Sequence, residues 1–173
     1  MARRAFYLTN AEPSSTNPDS KELAELLIVR MGLSPRKTGS TDQMHKVLLE
    51  LYERTKLAAK EKKPELAVLT VEEMGNHASI SRQTMYDYLK RWIDYDLISK
   101  TTYIYENKVI VGYKLNGVTL ENAFDKAAVR IKNNVDQTLK LARDLQNTIK
   151  KEKISETMKS KDPTPGTEIN QNI

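Results

Sequence analysis

The chain has 173 residues, the size of one globular domain with additional segments. It contains no cysteine, so disulfides, thiolate metal sites and a cysteine nucleophile are excluded. The net charge of +5 arises from basic residues in three segments, 36–63, 82–114 and 116–153, which allows binding to a polyanion without requiring it. The longest apolar run, 26–29, is too short to span a membrane, and the N-terminus does not resemble a signal peptide. We therefore expect a cytoplasmic protein without a membrane partner.

The N-terminal region is predicted to be an arm followed by a short helix. Residues 1–18 are expected to be flexible because chain-breaking residues cluster between Pro13 and Pro18. A helix over 20–31 follows, and Gly32 ends it. Its predicted apolar face consists of Leu23, Leu26, Leu27 and Met31.

A longer helix is predicted between Ser40 and Pro64. Ser40 and Gln43 match a capping box, and proline ends the helix. The residues predicted to face the core are Met44, Val47, Leu48, Leu51 and Thr55. Residues 66–69 then predict a very short strand.

Two shorter helices, 71–78 and 82–94, are predicted on either side of a tight turn. Thr70 and Glu73 form a second capping box, and Ser81 caps the second of these helices. The residues of that helix predicted to face the core are Met85, Leu89 and Trp92.

Two β-strands and a long helix complete the predicted elements. Residues 98–105 and 109–115 are rich in β-branched residues and tyrosine, and 106–108 have the length of a hairpin turn. The helix over 119–152 carries an apolar heptad pattern, which indicates pairing with a second helix. That heptad pattern, the predicted dimerisation surface, consists of Phe124, Ala128, Ile131, Val135, Thr138, Ala142, Leu145 and Ile149. The polar residues 154–173 are predicted to be disordered.

The run 80–92, followed by Asp96-Leu97-Ile98, resembles the helix-turn-helix of winged-helix transcription regulators, in the broad group that includes the MarR and PadR families. The resemblance covers 70–115 and differs at Ser79 and Asp96, where glycine is common. It implies a mainly α fold with a small β-hairpin wing. The implied organisation is a winged-helix domain with an N-terminal helical extension over 19–117 and a coiled-coil-like dimerisation helix over 118–153.

The resemblance implies a homodimer that binds double-stranded DNA in a sequence-specific manner and regulates prokaryotic transcription. In such a protein the first turns of the second helix meet base edges, where Arg82 suits guanine and Gln83 suits adenine. The hairpin wing is suited to contacts with phosphates or the minor groove. The residues expected to contact DNA are Ser81, Arg82, Gln83, Thr84, Tyr86, Lys90, Arg91, Lys100, Thr102, Asn107 and Lys108.

Two other classes of function remain open. The same fold serves plasmid-partition, replication-initiation and chromatin-type DNA-binding proteins, and it also serves as a protein-interaction module. An enzyme is not expected, because the chain has no Gly-rich phosphate loop and no metal-ligand cluster. Glu72 and Glu73 are adjacent on a helix and point in different directions, so they do not form an acid–base pair. No cofactor or metal is expected.

Overall fold

The order of elements is that of a mainly helical protein with one small sheet. A computed structural model describes residues 8–33 and 43–161. In chain order the elements are α1 (Ser20–Arg30), α2 (Met44–Glu61), a 3-10 helix (Pro64–Ala67), α3 (Val71–Ala78), α4 (Arg82–Asp94), β1 (Ile98–Tyr105), β2 (Lys108–Leu115) and α5 (Leu120–Lys159). The described residues up to Ile131 form one compact unit, and those from Lys132 onwards form a second.

The segment before α1 contacts that helix at both ends. Thr9 donates its backbone N–H to the carbonyl oxygen of Arg30 at 2.9 Å. Ser14 and Ser15 both donate to the carboxylate of Glu22, with the Ser14 nitrogen 2.7 Å from Oε1. These bonds tie residues 9–15 to the surface of α1. Residues 1–7, which belong to the same predicted arm, lie outside the described residues.

Helix α1 ends one residue before the predicted end, and its buried face overlaps the predicted one only in part. Asp19 caps it, because the Glu22 backbone N–H donates to Asp19 Oδ1 at 2.8 Å. The side chains buried in the core are Ala24 and Ile28, and Leu27 and Met31 of the predicted face pack against it, whereas Leu23 is 44% exposed, so the predicted face is only partly correct. A leucine-rich pattern on both sides of a short helix does not reveal which side meets α2, and the packing decides.

Helix α2 begins at Met44, later than the sequence predicted. Gln43 occupies its N-cap position without a side-chain hydrogen bond, and Ser40 of the predicted capping box lies outside the described residues. Four of the five predicted core residues are fully buried: Met44, Val47, Leu48 and Leu51. Thr55 is only partly buried and donates its hydroxyl to the Leu51 carbonyl oxygen at 2.8 Å.

The strand predicted over 66–69 is wrong except at its last residue. Residues Pro64–Ala67 form a 3-10 helix, and Leu69 alone exchanges two backbone hydrogen bonds with Tyr113 of β2, at 2.8 and 2.9 Å. Gly112 permits this approach, because a Cβ there would lie 2.3 Å from Val68 Cγ1 and 2.8 Å from the Leu69 carbonyl oxygen. The backbone before α3 is thereby joined to the hairpin.

The connection between α3 and α4 is a tight turn, as predicted. The capping box is complete, since Thr70 donates its N–H to Glu73 Oε2 at 2.7 Å and accepts from the Glu73 N–H at 3.3 Å. Ser79 adopts the left-handed conformation with φ 58°, and Ile80 then donates to the Gly75 carbonyl oxygen at 3.0 Å. A side chain at Gly75 would press on the Ile80 oxygen at 3.0 Å, so the turn stays close to α3.

Helix α4 is anchored in the core by the three residues predicted to face inward. Met85, Leu89 and Trp92 are at most 1% exposed, which confirms the prediction. Burying each such side chain contributes roughly 1.5–3 kcal/mol relative to leaving it in water. These contacts determine which side of α4 remains exposed.

The hairpin has a two-residue turn and not the predicted three-residue turn. Glu106 and Asn107 occupy the turn with φ values of 47° and 61°, and Lys108 pairs with Tyr105 in the antiparallel ladder. Positive φ at both central residues is characteristic of a type I′ turn, whose twist matches that of the strands. Strand β2 therefore begins one residue earlier than predicted.

Helix α5 begins as predicted and extends further. Thr119 caps it, because the Asn122 backbone N–H donates to Thr119 Oγ1 at 3.1 Å. Residues 154–159, predicted to be disordered, continue the helix. They are polar, but lysine, glutamate and methionine favour helix, and the first proline comes at Pro163. The remaining residues of the predicted tail from 162 onwards lie outside the described residues.

Candidate nucleic-acid interface

The first turn of α4 presents four polar side chains to solvent. Ser81 caps the helix by accepting the Thr84 backbone N–H at 3.2 Å, and the two hydroxyl oxygens lie 2.9 Å apart. The exposed residues of this turn are Ser81, Arg82, Gln83 and Thr84. Because Met85 and the residues that follow it on the same side are buried, the exposed turn is held by the core on its opposite side.

Arg82 is held in place by two neighbours. Its Nη1 lies 3.0 Å from Oε1 of Glu72 on α3, and its Nη2 donates to the Tyr86 hydroxyl at 3.2 Å. The guanidinium carbon is 5.6 Å from the centre of the Tyr86 ring, within cation–π range. The hydrogen bond to Tyr86, followed by the charge of Glu72, raises the pKa of Arg82 above its ordinary value. Tyr86 is half-buried, so the ring that contacts the Arg82 guanidinium is itself packed against the protein.

The two basic residues later in α4 differ in their surroundings. Lys90 is exposed, and its Nζ lies 3.9 Å from Oδ1 of Asp87. Arg91 is half-buried and donates Nη2 to the carbonyl oxygen of Gly32, which follows α1. Arg91 therefore joins the end of α1 to α4 through one of its donors, and its expected contact with a phosphate backbone stays a prediction.

The hairpin presents the four polar residues expected to contact DNA. Lys100 and Thr102 are two residues apart on β1, so they lie on the same face, and both are exposed. Asn107 and Lys108 are exposed at the turn and just after it. The sequence reasoning missed the apolar outer part of this face, where Ile104 pairs with Val109 and both are largely exposed, 76% and 69%. The alternation of β-branched residues could have indicated it.

The N-terminus of α3 is occupied by its own capping box. The Thr70 backbone N–H is already donated to the Glu73 carboxylate in the capping box. Glu72 and Glu73 both lie in the first turn of α3 and add negative charge there. The same turn supplies the carboxylate that contacts Arg82, a role that sequence reasoning did not assign to Glu72.

The predicted dimerisation pattern divides into two parts along α5. Phe124 and Ile131 are half-buried and pack against the protein's own core, which also buries Ala123 and Ala127 completely. The sequence reasoning missed these two alanines, although their spacing of four marks them as one helix face. The other six residues of the pattern are exposed: Ala128, Val135, Thr138, Ala142, Leu145 and Ile149.

The second unit contains five of those exposed residues on a single helix. Val135, Leu145 and Ile149 are 50%, 62% and 42% exposed. The portion of α5 from residue 132 to 159 has 28 residues, a length of about 42 Å at 1.5 Å per residue. An isolated helix with such an apolar stripe is typical of one that pairs with another helix.

Both histidines pair with carboxylates away from α4. His45 Nδ1 lies 3.6 Å from Oε1 of Glu25, and His77 Nε2 lies 3.8 Å from Oε1 of Glu50. Burial lowers the pKa of His45, and the charge of Glu25 opposes that effect. Within residues 8–33 and 43–161 there is no group of three or more histidine and acidic side chains suited to a metal ion. In the same residues no helix is long and apolar enough to cross a membrane.

No family model matches the chain, and comparisons with curated proteins and with solved structures find no significant match. The arrangement of residues therefore defines the class of site. It consists of an exposed, capped helix turn that bears an arginine, a glutamine and a threonine, with a polar and basic hairpin following in the same compact unit.

Proposed function

We propose that the protein is a winged-helix, sequence-specific double-stranded DNA-binding protein that acts in the cytoplasm as a homodimeric prokaryotic transcription regulator. The observation that carries the proposal is the first turn of α4. There Arg82, Gln83 and Thr84 are exposed together while the opposite side of the helix is fully buried. This is the arrangement that allows a helix to enter the major groove without unfolding from its domain.

The side chains of this turn suit the edges of base pairs. Arginine donates two hydrogen bonds to guanine O6 and N7, and glutamine pairs with adenine N6 and N7. The threonine at position 84 supports contacts with thymine methyl groups or phosphates. In this proposal Lys100, Thr102, Asn107 and Lys108 of the hairpin contact the sugar–phosphate backbone or the minor groove, and they supply affinity more than sequence preference.

The exposed apolar stripe of α5 supports a dimer in this proposal. Two copies would present two α4 helices to a duplex with two-fold related half-sites. Such half-sites have centres about 34–36 Å apart, or a multiple of that distance. In this proposal the dimer regulates transcription by binding DNA and catalyses no reaction.

A selection from a random duplex library, followed by titrations with the selected and a random duplex at several salt concentrations, tests the proposal. We expect affinity to fall with salt because bound lysine and arginine residues release counterions from DNA. We also expect the selected duplex to be bound more tightly than the random one at each salt concentration. Absence of binding to any duplex at low salt would exclude the proposed function.

One observation favours a second candidate, a winged-helix protein-interaction module. The outer half of the hairpin exposes the paired Ile104 and Val109, and exposed apolar patches commonly mark protein contacts. Replacing both residues with threonine separates the candidates. If the variant still binds a duplex, the DNA-binding proposal is supported. If the wild type does not bind DNA and the variant loses a protein partner that the wild type binds, the interaction module is supported.

A plasmid-partition, replication-initiation or chromatin-type protein would use the same contacts with DNA. A genome-wide binding profile distinguishes these roles. Binding at a few promoters supports a transcription regulator, binding at one origin or centromere-like site supports replication or partition, and uniform binding supports a chromatin role.

A further inference from the structure

The contact between Glu72 and Arg82 joins two helices at the centre of the proposed interface. Glu72 lies in the first turn of α3 and Arg82 in the first turn of α4, and their side chains are 54% and 63% exposed. The Oε1–Nη1 distance of 3.0 Å is that of a close ion pair. Glu72 therefore lies beside the groove-facing turn although it is not part of α4.

Arg82 keeps enough free N–H donors to bind a base while it contacts Glu72 and Tyr86. A guanidinium has five N–H donors. The Tyr86 hydroxyl accepts one N–H of Nη2 and Glu72 forms an ion pair with Nη1, so at least three donors remain. A bidentate contact with guanine requires only two. The two neighbours thus restrict the arginine without using up the donors that such a contact needs.

Building on the DNA-binding function proposed above, we propose that Glu72 is a positioning residue that sets the preference of Arg82 for guanine in a DNA duplex. A free arginine side chain loses rotamer entropy when it is ordered. Ordering Arg82 before DNA arrives lowers that cost for a base in the correct place. A phosphate in a different position requires Arg82 to move, so ordering the side chain in advance does not lower the entropic cost of that contact.

The charge of Glu72 acts in the same direction. A carboxylate beside the interface repels phosphates and weakens binding to any duplex. It also competes with phosphates for Arg82, so that a contact with the sugar–phosphate backbone has to replace an ion pair. The repulsion lowers the affinity for every duplex alike, whereas the competition lowers the affinity for random DNA more than that for the selected site, so the ratio of the two affinities rises.

The test uses Glu72→Gln in the full-length chain, with Glu53→Gln as its matched control. Both substitutions remove one exposed negative charge from a helix of the same compact unit, but Glu53 lies on α2 and has no contact with Arg82. We expect Glu72→Gln to lower the ratio of selected to random duplex affinity by about two- to fivefold, the range that an exposed ion pair supports. Glu53→Gln should leave the ratio unchanged. Thermal melts of both variants confirm that they are folded.

Two further measurements separate positioning from a simple charge effect. In the Arg82→Ala background, Glu72→Gln should no longer change the ratio, because the two residues act as one unit. In the free protein, the NMR order parameter of the Arg82 Nε–H bond should fall in Glu72→Gln and stay constant in Glu53→Gln.

The outcomes distinguish this inference from the function on which it rests. A wild type that discriminates between duplexes, with an unchanged ratio in Glu72→Gln or an equal change in the Arg82→Ala background, overturns the positioning role and leaves the DNA-binding function standing. An unchanged order parameter likewise overturns it. A wild type that does not discriminate between duplexes overturns the DNA-binding function, and the inference with it.

Discussion

Asp96 Oδ2 lies 2.7 Å from Nη1 of Arg130, so the turn after α4 is joined to the first part of α5 by an ion pair. Asp96 is also in the left-handed conformation, with φ 57°, in which glycine is the most common residue. Glycine adopts this conformation without strain but has no side chain. The carboxylate therefore provides a physical reason for aspartate at this position, since it reaches Arg130.

Substitutions at Asp96 should separate strain from the ion pair. Asp96→Gly removes both, and because a left-handed residue costs about 1–2 kcal/mol while an exposed pair contributes about 0.2–1 kcal/mol, we expect it to be about 0–2 kcal/mol more stable than wild type. Asp96→Ala keeps the strain and loses the pair, and it should be about 1–2 kcal/mol less stable than Asp96→Gly. Urea unfolding measures both, and Arg130→Gln is the control that removes the pair alone. Equal stability of the alanine and glycine variants would contradict this explanation.

Arg82→Ala and Lys108→Ala should affect DNA binding in different ways. Loss of a bidentate base contact costs about 1–3 kcal/mol of discrimination, so Arg82→Ala should bring the selected duplex towards the random one. Lys108→Ala should weaken both duplexes alike and reduce the salt slope by about one phosphate contact. Fluorescence anisotropy at one fixed salt concentration compares them. If Arg82→Ala loses equal affinity for both duplexes, Arg82 contacts only the backbone.

Val135→Glu should convert the proposed dimer to a monomer. Val135 is half exposed in the apolar stripe of α5, and like charges facing each other across a paired seam oppose association. Val129→Glu is the matched control, since Val129 is 59% exposed and lies about 120° round the helix from Val135. Light scattering of both variants measures the mass. A dimeric Val135→Glu protein would show that α5 pairs through another face or not at all.

Glu22 should titrate far below an ordinary glutamate. The hydroxyl of Ser15, with further bonds from Ser15 and Ser14, lowers the pKa of Glu22 from 4.5 to about 2. Since the ionised form is favoured in the folded chain, its contribution to attaching residues 14 and 15 is complete above pH 4.5 and is lost as pH falls through about 2. An NMR titration of the Glu22 carboxyl carbon measures the midpoint. Ser15→Ala should raise the midpoint towards 4.5, and an unchanged midpoint would contradict the assigned cause.

Local signals in the sequence were sufficient for several boundaries. Ser81, Thr70 and Thr119 each accept a backbone N–H three residues ahead, and such a bond depends only on residues that are neighbours in the chain. The inward spacing of Met85, Leu89 and Trp92 was also correct, because one helix face needs only one periodic pattern. These features place the exposed turn of α4 correctly from sequence alone.

Only the tertiary structure decided the elements whose neighbours are distant in the chain. Leu69 pairs with Tyr113 because Gly112 leaves room for it, and no pattern in 66–69 contains that information. Which side of α1 is buried depends on how α2 lies against it, and both sides of α1 are apolar enough to be candidates. A short apolar run is compatible with several structures until its partner is known.

The candidate site shows the same division. Arg82 and its exposure follow from the sequence, since the residue lies just after a capped helix start and opposite a buried face. Its contact with Glu72 does not, because the two residues are ten positions apart on different helices. The tight turn at Ser79 and Gly75 sets the angle between those helices, and that angle brings the carboxylate within 3.0 Å of the guanidinium. Hydrogen bonds within one helix turn are determined by the order of residues, whereas contacts between helices depend on packing that the whole core determines.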